Sequence, residues 1–171
     1  VSVTVTDGNG DSQNISTVVA ADGTWSVTPS ALSDGTFSVS ATIMDDAGNT
    51  TTVSSTGNID TQGVSVTLDP LGLGNDATPL LSGTSSEIGR EVSISVLDNN
   101  GDTYTLGATV DGSGNWSVSA PSLAEGDYTV TVSASDAAGN SSSASDTGTI
   151  DTIAPTVSID PSSVALTNDN T

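Results

Sequence analysis

The chain has 171 residues, with 21 acidic side chains and a single basic one (Arg90), for a formal net charge of −20. It contains no His, Cys or Lys, which removes the usual general base near neutral pH and the usual covalent nucleophiles, although an aspartate-only hydrolase is not excluded. Nucleic acids and anionic membrane surfaces are excluded as partners, because both are bound through Lys and Arg.

The acids are 18 Asp and 3 Glu, a ratio that favours turns and short oxygen ligands over helix interiors. Together with many Ser, Thr and Gly residues, this composition predicts an all-β chain. The lack of cysteine suits a cytosolic protein, or a secreted one that uses metal instead of disulfides. No stretch is long enough to span a bilayer, and no signal peptide or initiator Met is found. Since Val1 falls in mid-strand, we expect the chain to be a fragment with further residues upstream.

An internal repeat organises the sequence. Residues 1–61 align without a gap with residues 92–152, and 25 of the 61 positions are identical. A period of about 91 residues is one sandwich domain and far too long for a solenoid unit. We therefore divide the chain into an N-terminally truncated repeat (1–61), a complete repeat (62–152) and the start of the next (153–171).

The complete repeat predicts seven antiparallel strands, because short alternating segments are separated by turn residues. In chain order they are A (Val64–Leu68), B (about Leu80–Thr84), C (Val92–Val96), D (about Thr103–Val110), E (Trp116–Val118), F (Tyr128–Ala134) and G (about Ser142–Ile150). Alternation places Val92, Ile94 and Val96 on an inward face, as it does Tyr128, Val130, Val132 and Ala134. The prediction is an immunoglobulin-like β-sandwich without a disulfide.

Both tryptophans, Trp25 and Trp116, stand in register with inward-facing valines two positions later, which predicts core packing. A sugar-binding platform is the alternative. Several short motifs recur in both copies: Gly-x-Trp-Ser-Val, Asp-x-Ala-Gly-Asn before the last strand, and Ile-Asp-Thr at the end of each repeat, which continues as Ile-Ala-Pro-Thr-Val after Thr152.

This combination resembles the bacterial immunoglobulin-like repeats that form the extender regions of giant adhesins of the biofilm-associated and RTX group. The resemblance covers the whole chain and implies calcium dependence and type I secretion, with folding outside the cell. The first joint departs from the pattern, since Gln62-Gly-Val64 replaces Ile153-Ala-Pro155 and lacks the stiffening proline.

The acidic loops predict calcium binding at the ends of the repeats. Antiparallel topology brings the C–D and E–F loops and the end of strand G to one end of a repeat, where they face the B–C, D–E and F–G loops of the next. Converging carboxylates repel one another, and calcium, which takes 6–8 oxygen ligands, is the natural counter-ion. The candidate ligands are Asp7, Asn9, Asp11, Asp45, Asn49 and Asp60 in the first repeat, and Asp98, Asn100, Asp102, Asp111, Asp136, Asn140 and Asp151 in the second. Ordinary turn chemistry, with Asn49 and Asn140 in the left-handed region, is the alternative.

The sequence favours a non-catalytic extracellular spacer on a bacterial cell surface, whose partners are the neighbouring repeats and whose adhesive ligand is bound elsewhere in the full-length protein. The alternatives are a calcium-dependent module that binds glycan or ice, and an accessory domain of a polysaccharide-degrading enzyme.

Overall fold

A computed structural model describes residues 1–160, and the regular structure in this range is entirely β-strand. The strands are β1 (Ser2–Thr6), β2 (Ser12–Ser16), β3 (Gly35–Met44), β4 (Thr50–Ile59), β5 (Leu73–Gly74), β6 (Leu80–Thr84), β7 (Glu91–Leu97), β8 (Thr103–Thr109), β9 (Asn115–Ser119), β10 (Gly126–Ser135) and β11 (Ser141–Ile150). Residues 1–160 include no helix of the length and hydrophobicity needed to cross a membrane.

The chain divides into two compact units, Val1–Ser65 with Ala134–Ser142, and Val66–Ser133 with Ser143–Thr171. The limits of these two units do not coincide with the repeat boundaries at residues 61 and 152. Those boundaries stay a prediction. Of the segment assigned to a third repeat, residues 153–160 contain no strand and residues 161–171 lie outside the described range.

The first unit is built on an antiparallel sheet in the order β2-β1-β3-β4. Alternation along β1 turns Val3 and Val5 inward, where they are at most 2% exposed and pack with the buried Ala41 of β3. The neighbouring positions on these strands are Ser and Thr. One face of the sheet is therefore apolar and the other is polar.

The second unit contains a five-stranded sheet, β5-β11-β10-β7-β8, and a two-stranded sheet, β6-β9. The inward positions predicted for strands C and F are confirmed, since each of them is at most 4% exposed. Strands B to G are observed within two residues of their predicted ends. Leu81 of β6 and Trp116 of β9 are buried as well, so both sheets contribute to one core.

The prediction of strand A at Val64–Leu68 is wrong. Val66 makes only an isolated bridge to Ser85, and the amides of Thr67 and Asp69 donate to β6 main-chain oxygens at 2.8 Å. Pro70, which follows, has no N–H and does not continue such pairing. The chain then forms β5, which pairs with β11 in parallel, whereas only antiparallel pairing was predicted.

Core packing is confirmed for Trp116, which is 2% exposed, but it is wrong for Trp25, which is 41% exposed. Trp116 belongs to β9, which pairs with β6, whereas residues 23–27 form no strand. Among residues 1–160 no strand pairs with the segment that holds Trp25, whereas β6 pairs with the segment that holds Trp116. Ile43 and Val53 are exposed as well.

Candidate functional site

The first predicted calcium loop connects β1 to β2. One carboxylate oxygen of Asp7 accepts the amides of Asn9 and Asp11, each at 3.0 Å, and the other accepts the amide of Ser33 at 3.1 Å. These bonds, led by that from Ser33, lower the pKa of Asp7 although burial opposes the shift. The Asn9 side-chain amide donates to the Ser33 hydroxyl at 2.9 Å. Asp7 therefore closes its own loop, whereas the Asp11 carboxylate accepts no hydrogen bond within residues 1–160.

The equivalent loop between β7 and β8 repeats this pattern. Asp98 is only 5% exposed, and one of its oxygens accepts the amides of Asn100 and Asp102 at 3.0 Å. Its second oxygen accepts the amide of Ala124 at 3.4 Å. The Asp102 carboxylate, like that of Asp11, accepts no hydrogen bond from the described part of the chain. The first aspartate of each motif is thus structural, and the last one has free oxygens.

The Asp-x-Ala-Gly-Asn loops are closed by an aspartate–asparagine pair. Asp45 accepts the amide of Asn49 at 2.8 Å on one oxygen and the Asn49 side-chain amide at 2.8 Å on the other. This side-chain bond is the main cause of the lowered pKa of Asp45. The left-handed residue is Gly48, with φ 87°, and not Asn49. The same holds for Gly139, with φ 97°, in the second copy.

In that copy Asp136 accepts the amide of Asn140 at 2.9 Å and its side-chain nitrogen at 2.7 Å. The side-chain bond again leads in lowering the pKa of the aspartate. Residues 134–142 belong to the first compact unit, and within it the Asn140 side chain also donates to the main-chain oxygen of Asp60 at 3.0 Å. Three of the predicted ligands, Asp60, Asp136 and Asn140, are therefore connected by hydrogen bonds.

The remaining candidates also form short turns. Asp111 accepts the amides of Ser113 and Asn115 at 2.8 and 2.9 Å on one oxygen, and the bond from Asn115 contributes most to its lowered pKa. Asp60 accepts the amide of Gln62 at 3.0 Å, and Asp151 accepts that of Ile153 at 3.1 Å. In Asp60 and Asp151 the second carboxylate oxygen has no hydrogen bond from residues 1–160, whereas the Asn115 side chain also contributes to the lowered pKa of Asp111.

Two further acids, Asp34 and Glu125, bind the threonine at the end of their own repeat. One oxygen of Asp34 accepts the amide of Thr61 at 3.1 Å and its hydroxyl at 2.8 Å. Glu125 accepts the amide of Thr152 at 3.1 Å on both oxygens and also accepts its hydroxyl. Neither acid was predicted as a site residue. The repeat alignment carried the signal, because it pairs Asp34 with Glu125 and Thr61 with Thr152.

The candidate ligands are carboxylate and amide oxygens, the donors that calcium prefers. Within residues 1–160, however, no group of three or more acidic side chains is placed to hold a metal ion. The donor types suit calcium, but a complete coordination shell is not assembled among the described residues.

Residues 1–61 and 68–152 both match the family model of the bacterial Ig-like domain. The chain belongs to the bacterial Ig-like domain family. The second matched stretch is longer than the first, because it begins before β5 and includes both β5 and β6. No curated protein matches the sequence.

Solved structures similar to this chain include a tetra-tandem repeat in the extending region of a large adhesion protein, which is 34% identical, covers 88% of this chain and 41% of its own, and has a TM-score of 0.48. A Ca²⁺-stabilised adhesin with which an Antarctic bacterium binds ice is 29% identical to this chain. The match covers 87% of this chain and 39% of the adhesin chain, with a TM-score of 0.38. A bacterial ice-binding adhesin studied for host cell surface retention is 31% identical to this chain. The match covers 87% of this chain and 52% of the adhesin chain, with a TM-score of 0.36. The chain covers less than two thirds of the length of each.

Proposed function

We propose that this chain is a non-catalytic spacer of a bacterial cell-surface adhesin, in which tandem Ig-like domains hold a distal adhesive region away from the cell. The repeat carries the proposal: two stretches of one chain match the same bacterial Ig-like family and align at a fixed offset of 91 residues. Tandem domains whose neighbours are copies of themselves build length. Strands of ten residues, such as β10 and β11, are each about 33 Å long.

The side-chain chemistry supports a structural role. Without His, Cys or Lys, the chain lacks the groups that most often serve as base or nucleophile at neutral pH. Its aspartates are mostly engaged by main-chain amides of their own turns. The partners we propose are the neighbouring repeats of the same chain, with the adhesive ligand bound elsewhere in the protein.

We also propose calcium as the ion that stiffens the ends of the repeats. Asp60, Asp136 and Asn140 lie in one hydrogen-bonded group, and the second carboxylate oxygen of Asp60 has no donor among residues 1–160. With a net charge of −20 and one Arg, such carboxylates gain from a bound cation. When bound, calcium would supply coordination bonds of about 2.4 Å that tolerate little movement.

Export fits the same role. A chain without cysteine has no disulfides to form, and carboxylates that repel one another make the folded state less stable until a cation is bound. These properties support type I secretion of an unfolded chain and folding at the cell surface, which the resemblance to RTX and biofilm-associated adhesins implies.

Glycan binding is favoured by one observation only, the 41% exposure of Trp25. Its repeat counterpart Trp116 is buried, so the position belongs to the core of a complete domain. Ice binding requires a regular array of free hydroxyls. On the polar face of β1–β4 the hydroxyls of Thr42 and Thr52 bond to each other at 2.8 Å, and Thr4 donates to Asn14 at 2.7 Å. The spacer function is therefore favoured over glycan binding and ice binding.

Small-angle scattering tests the spacer and its calcium dependence together. In calcium the wild type should be extended, and Asp60→Ala, which leaves every core residue intact, should be shorter on average and more flexible. Asp46→Ala, which removes an equal charge from an exposed turn, is the control. If Asp60→Ala scatters like the wild type with and without calcium, Asp60 is only a turn residue. A wild type that is equally compact in both solutions would contradict the spacer itself.

A further inference from the structure

Each of the two repeats ends in a side-chain contact between an acid and a threonine. The last ladder pair of the first repeat joins Gly35 of β3 to Ile59 of β4. Immediately beyond it, the side chain of Asp34 reaches across to Thr61 and accepts both its amide and its hydroxyl. The main chain is thus held for two residues after β4 has ended.

The second repeat achieves the same contact with a different acid. Glu125 precedes Gly126, the first residue of β10, and Thr152 follows Ile150, the last residue of β11, by two positions. The longer Glu side chain binds the same two donors of the threonine. Asp34 and Glu125 differ in length but accept the same two donors of a threonine. The contact is therefore common to both repeats although the acidic residue differs.

Each acid stands on a loop that is itself fixed. In the first repeat the neighbouring amide, that of Ser33, is bound by the buried Asp7. In the second, the amide of Ala124 is bound by the buried Asp98, and the side chain of Asn99 donates to the main-chain oxygen of Glu125 at 3.0 Å. The acids therefore act from a rigid support, which limits the entropy lost when the threonine binds.

We propose that Asp34–Thr61 and Glu125–Thr152 are exit clamps, positioning contacts that fix the direction in which the chain leaves each domain without any metal ion. Charge-assisted bonds to an amide and a hydroxyl are stronger than neutral ones, and two donors on one residue restrict its rotation. The consequence for stiffness of an array rests on the proposed spacer function. The clamp itself does not.

The first clamp has an additional donor. The Gln62 side-chain nitrogen lies 3.4 Å from the second oxygen of Asp34, where the second repeat has Ile153. A bond of this length is weak. It nevertheless adds a restraint in the linker that lacks a proline, so the two exits are restrained by different means.

The test is amide hydrogen exchange of the full 171-residue chain, followed by NMR in EDTA so that calcium is absent. In the wild type the amides of Thr61 and Thr152 should be protected. Asp34→Ala should speed exchange at Thr61 by about tenfold and leave Thr152 unchanged, since one charge-assisted bond is lost. Glu125→Ala should do the reverse. Each variant is therefore the control of the other, and Asp46→Ala is the control for charge.

Conservative variants separate a clamp from general loosening. Thr61→Ser keeps both donors and should keep the protection, whereas Thr61→Val loses the hydroxyl and should increase the motion of residues 62–65 in heteronuclear NOE measurements. Equal exchange in the wild type and Asp34→Ala would overturn the proposal. So would protection that appears only after calcium is added, or a wild type whose core amides are unprotected in EDTA. Scattering that shows no extended array would contradict the spacer and leave these amide rates unaffected.

Discussion

Trp116 donates its indole N–H to the main-chain oxygen of Thr67 at 3.2 Å, which joins β9 to the segment that precedes β5. Gly83 of β6 makes room for the ring, because a Cβ at that position would lie 2.8 Å from the indole. Trp25, by contrast, is 41% exposed and lies in a segment that forms no strand. The tryptophan of the repeated Gly-x-Trp-Ser-Val motif is thus buried in the second copy and exposed in the first.

This difference predicts how the two tryptophans respond to substitution. Trp116→Ala should cost about 3–5 kcal/mol of unfolding free energy, as for large buried aromatics. Trp25→Ala should cost clearly less in the 171-residue chain. Urea unfolding measures both, and the fluorescence of Trp116→Phe should be red-shifted relative to Trp25→Phe because the remaining Trp25 is exposed. Equal emission maxima would contradict the two environments.

A second prediction concerns Gly148, over which the ring of Tyr128 packs. A Cβ at Gly148 would lie 2.5 Å from the tyrosine oxygen, and Tyr128 is only 4% exposed, so its ring has little room to move. Gly148→Ala should destabilise the second unit by about 1–3 kcal/mol through overpacking. Gly112→Ala is the matched control, since nothing lies within 4 Å of its Cβ position. Thermal unfolding that shifts equally in both variants would be contrary to this packing.

Alternation was a reliable guide to the fold. Val92, Ile94 and Val96 face inward because a strand has a period of two, which depends only on local sequence. Strand A failed because its pairing is decided by neighbours distant in sequence. Val64–Leu68 alternates as a strand should, but it makes only an isolated bridge and amide bonds to β6, and a ladder forms after Pro70, between β5 and β11. Local pattern cannot reveal such a change of partner.

The candidate site was harder to predict, because turn formation and calcium coordination use the same residues. Asp7 and Asp98 were placed correctly in their loops, but the sequence does not show that their oxygens are bound by amides of the E–F loop. Conversely, Asp34 and Glu125 were not named as candidate ligands, and the sequence does not show that each of them binds a threonine. Their partner lies 27 positions away in each case.

Acid pH should destabilise the chain. Hydrogen bonds lower the pKa of one group of aspartates, namely Asp7, Asp22, Asp34, Asp45, Asp76, Asp111, Asp136 and Asp146. Each contributes stability that is present above the unfolded-state pKa of about 3.9 and is lost as the pH falls through the lower folded-state pKa. Relief of repulsion within a chain of net charge −20 acts in the opposite direction.

Urea midpoints measured from pH 6 to pH 2.5 in EDTA would show which effect is larger, and we expect a net loss below about pH 4. Asp136→Asn should flatten this dependence, because the amide keeps an acceptor oxygen for the turn but does not titrate. Asp46→Asn, which removes one charge from an exposed turn, is the control for the change in net charge. Stability that rises steadily down to pH 2.5 would mean that charge repulsion dominates.

Calcium should raise the melting temperature well beyond the effect of magnesium. At about 1 mM calcium and a Kd of about 0.1 mM, each site adds about 1.4 kcal/mol by mass action. Magnesium holds its water and demands octahedral geometry, so it should replace calcium poorly. Differential scanning calorimetry in calcium, in magnesium and in EDTA measures the difference.

Two variants distinguish specific coordination from general screening of charge. Asp11→Ala removes a carboxylate that makes no hydrogen bond within residues 1–160 and should reduce the calcium-dependent shift without lowering stability in EDTA. Asp46→Ala removes the same charge from outside the candidate ligands and should keep the full shift. If both variants behave alike, calcium acts only as a screening ion. A melting curve that EDTA leaves unchanged would show that calcium does not stabilise the chain. The stiffness of the array would then depend on the exit clamps and on side-chain packing.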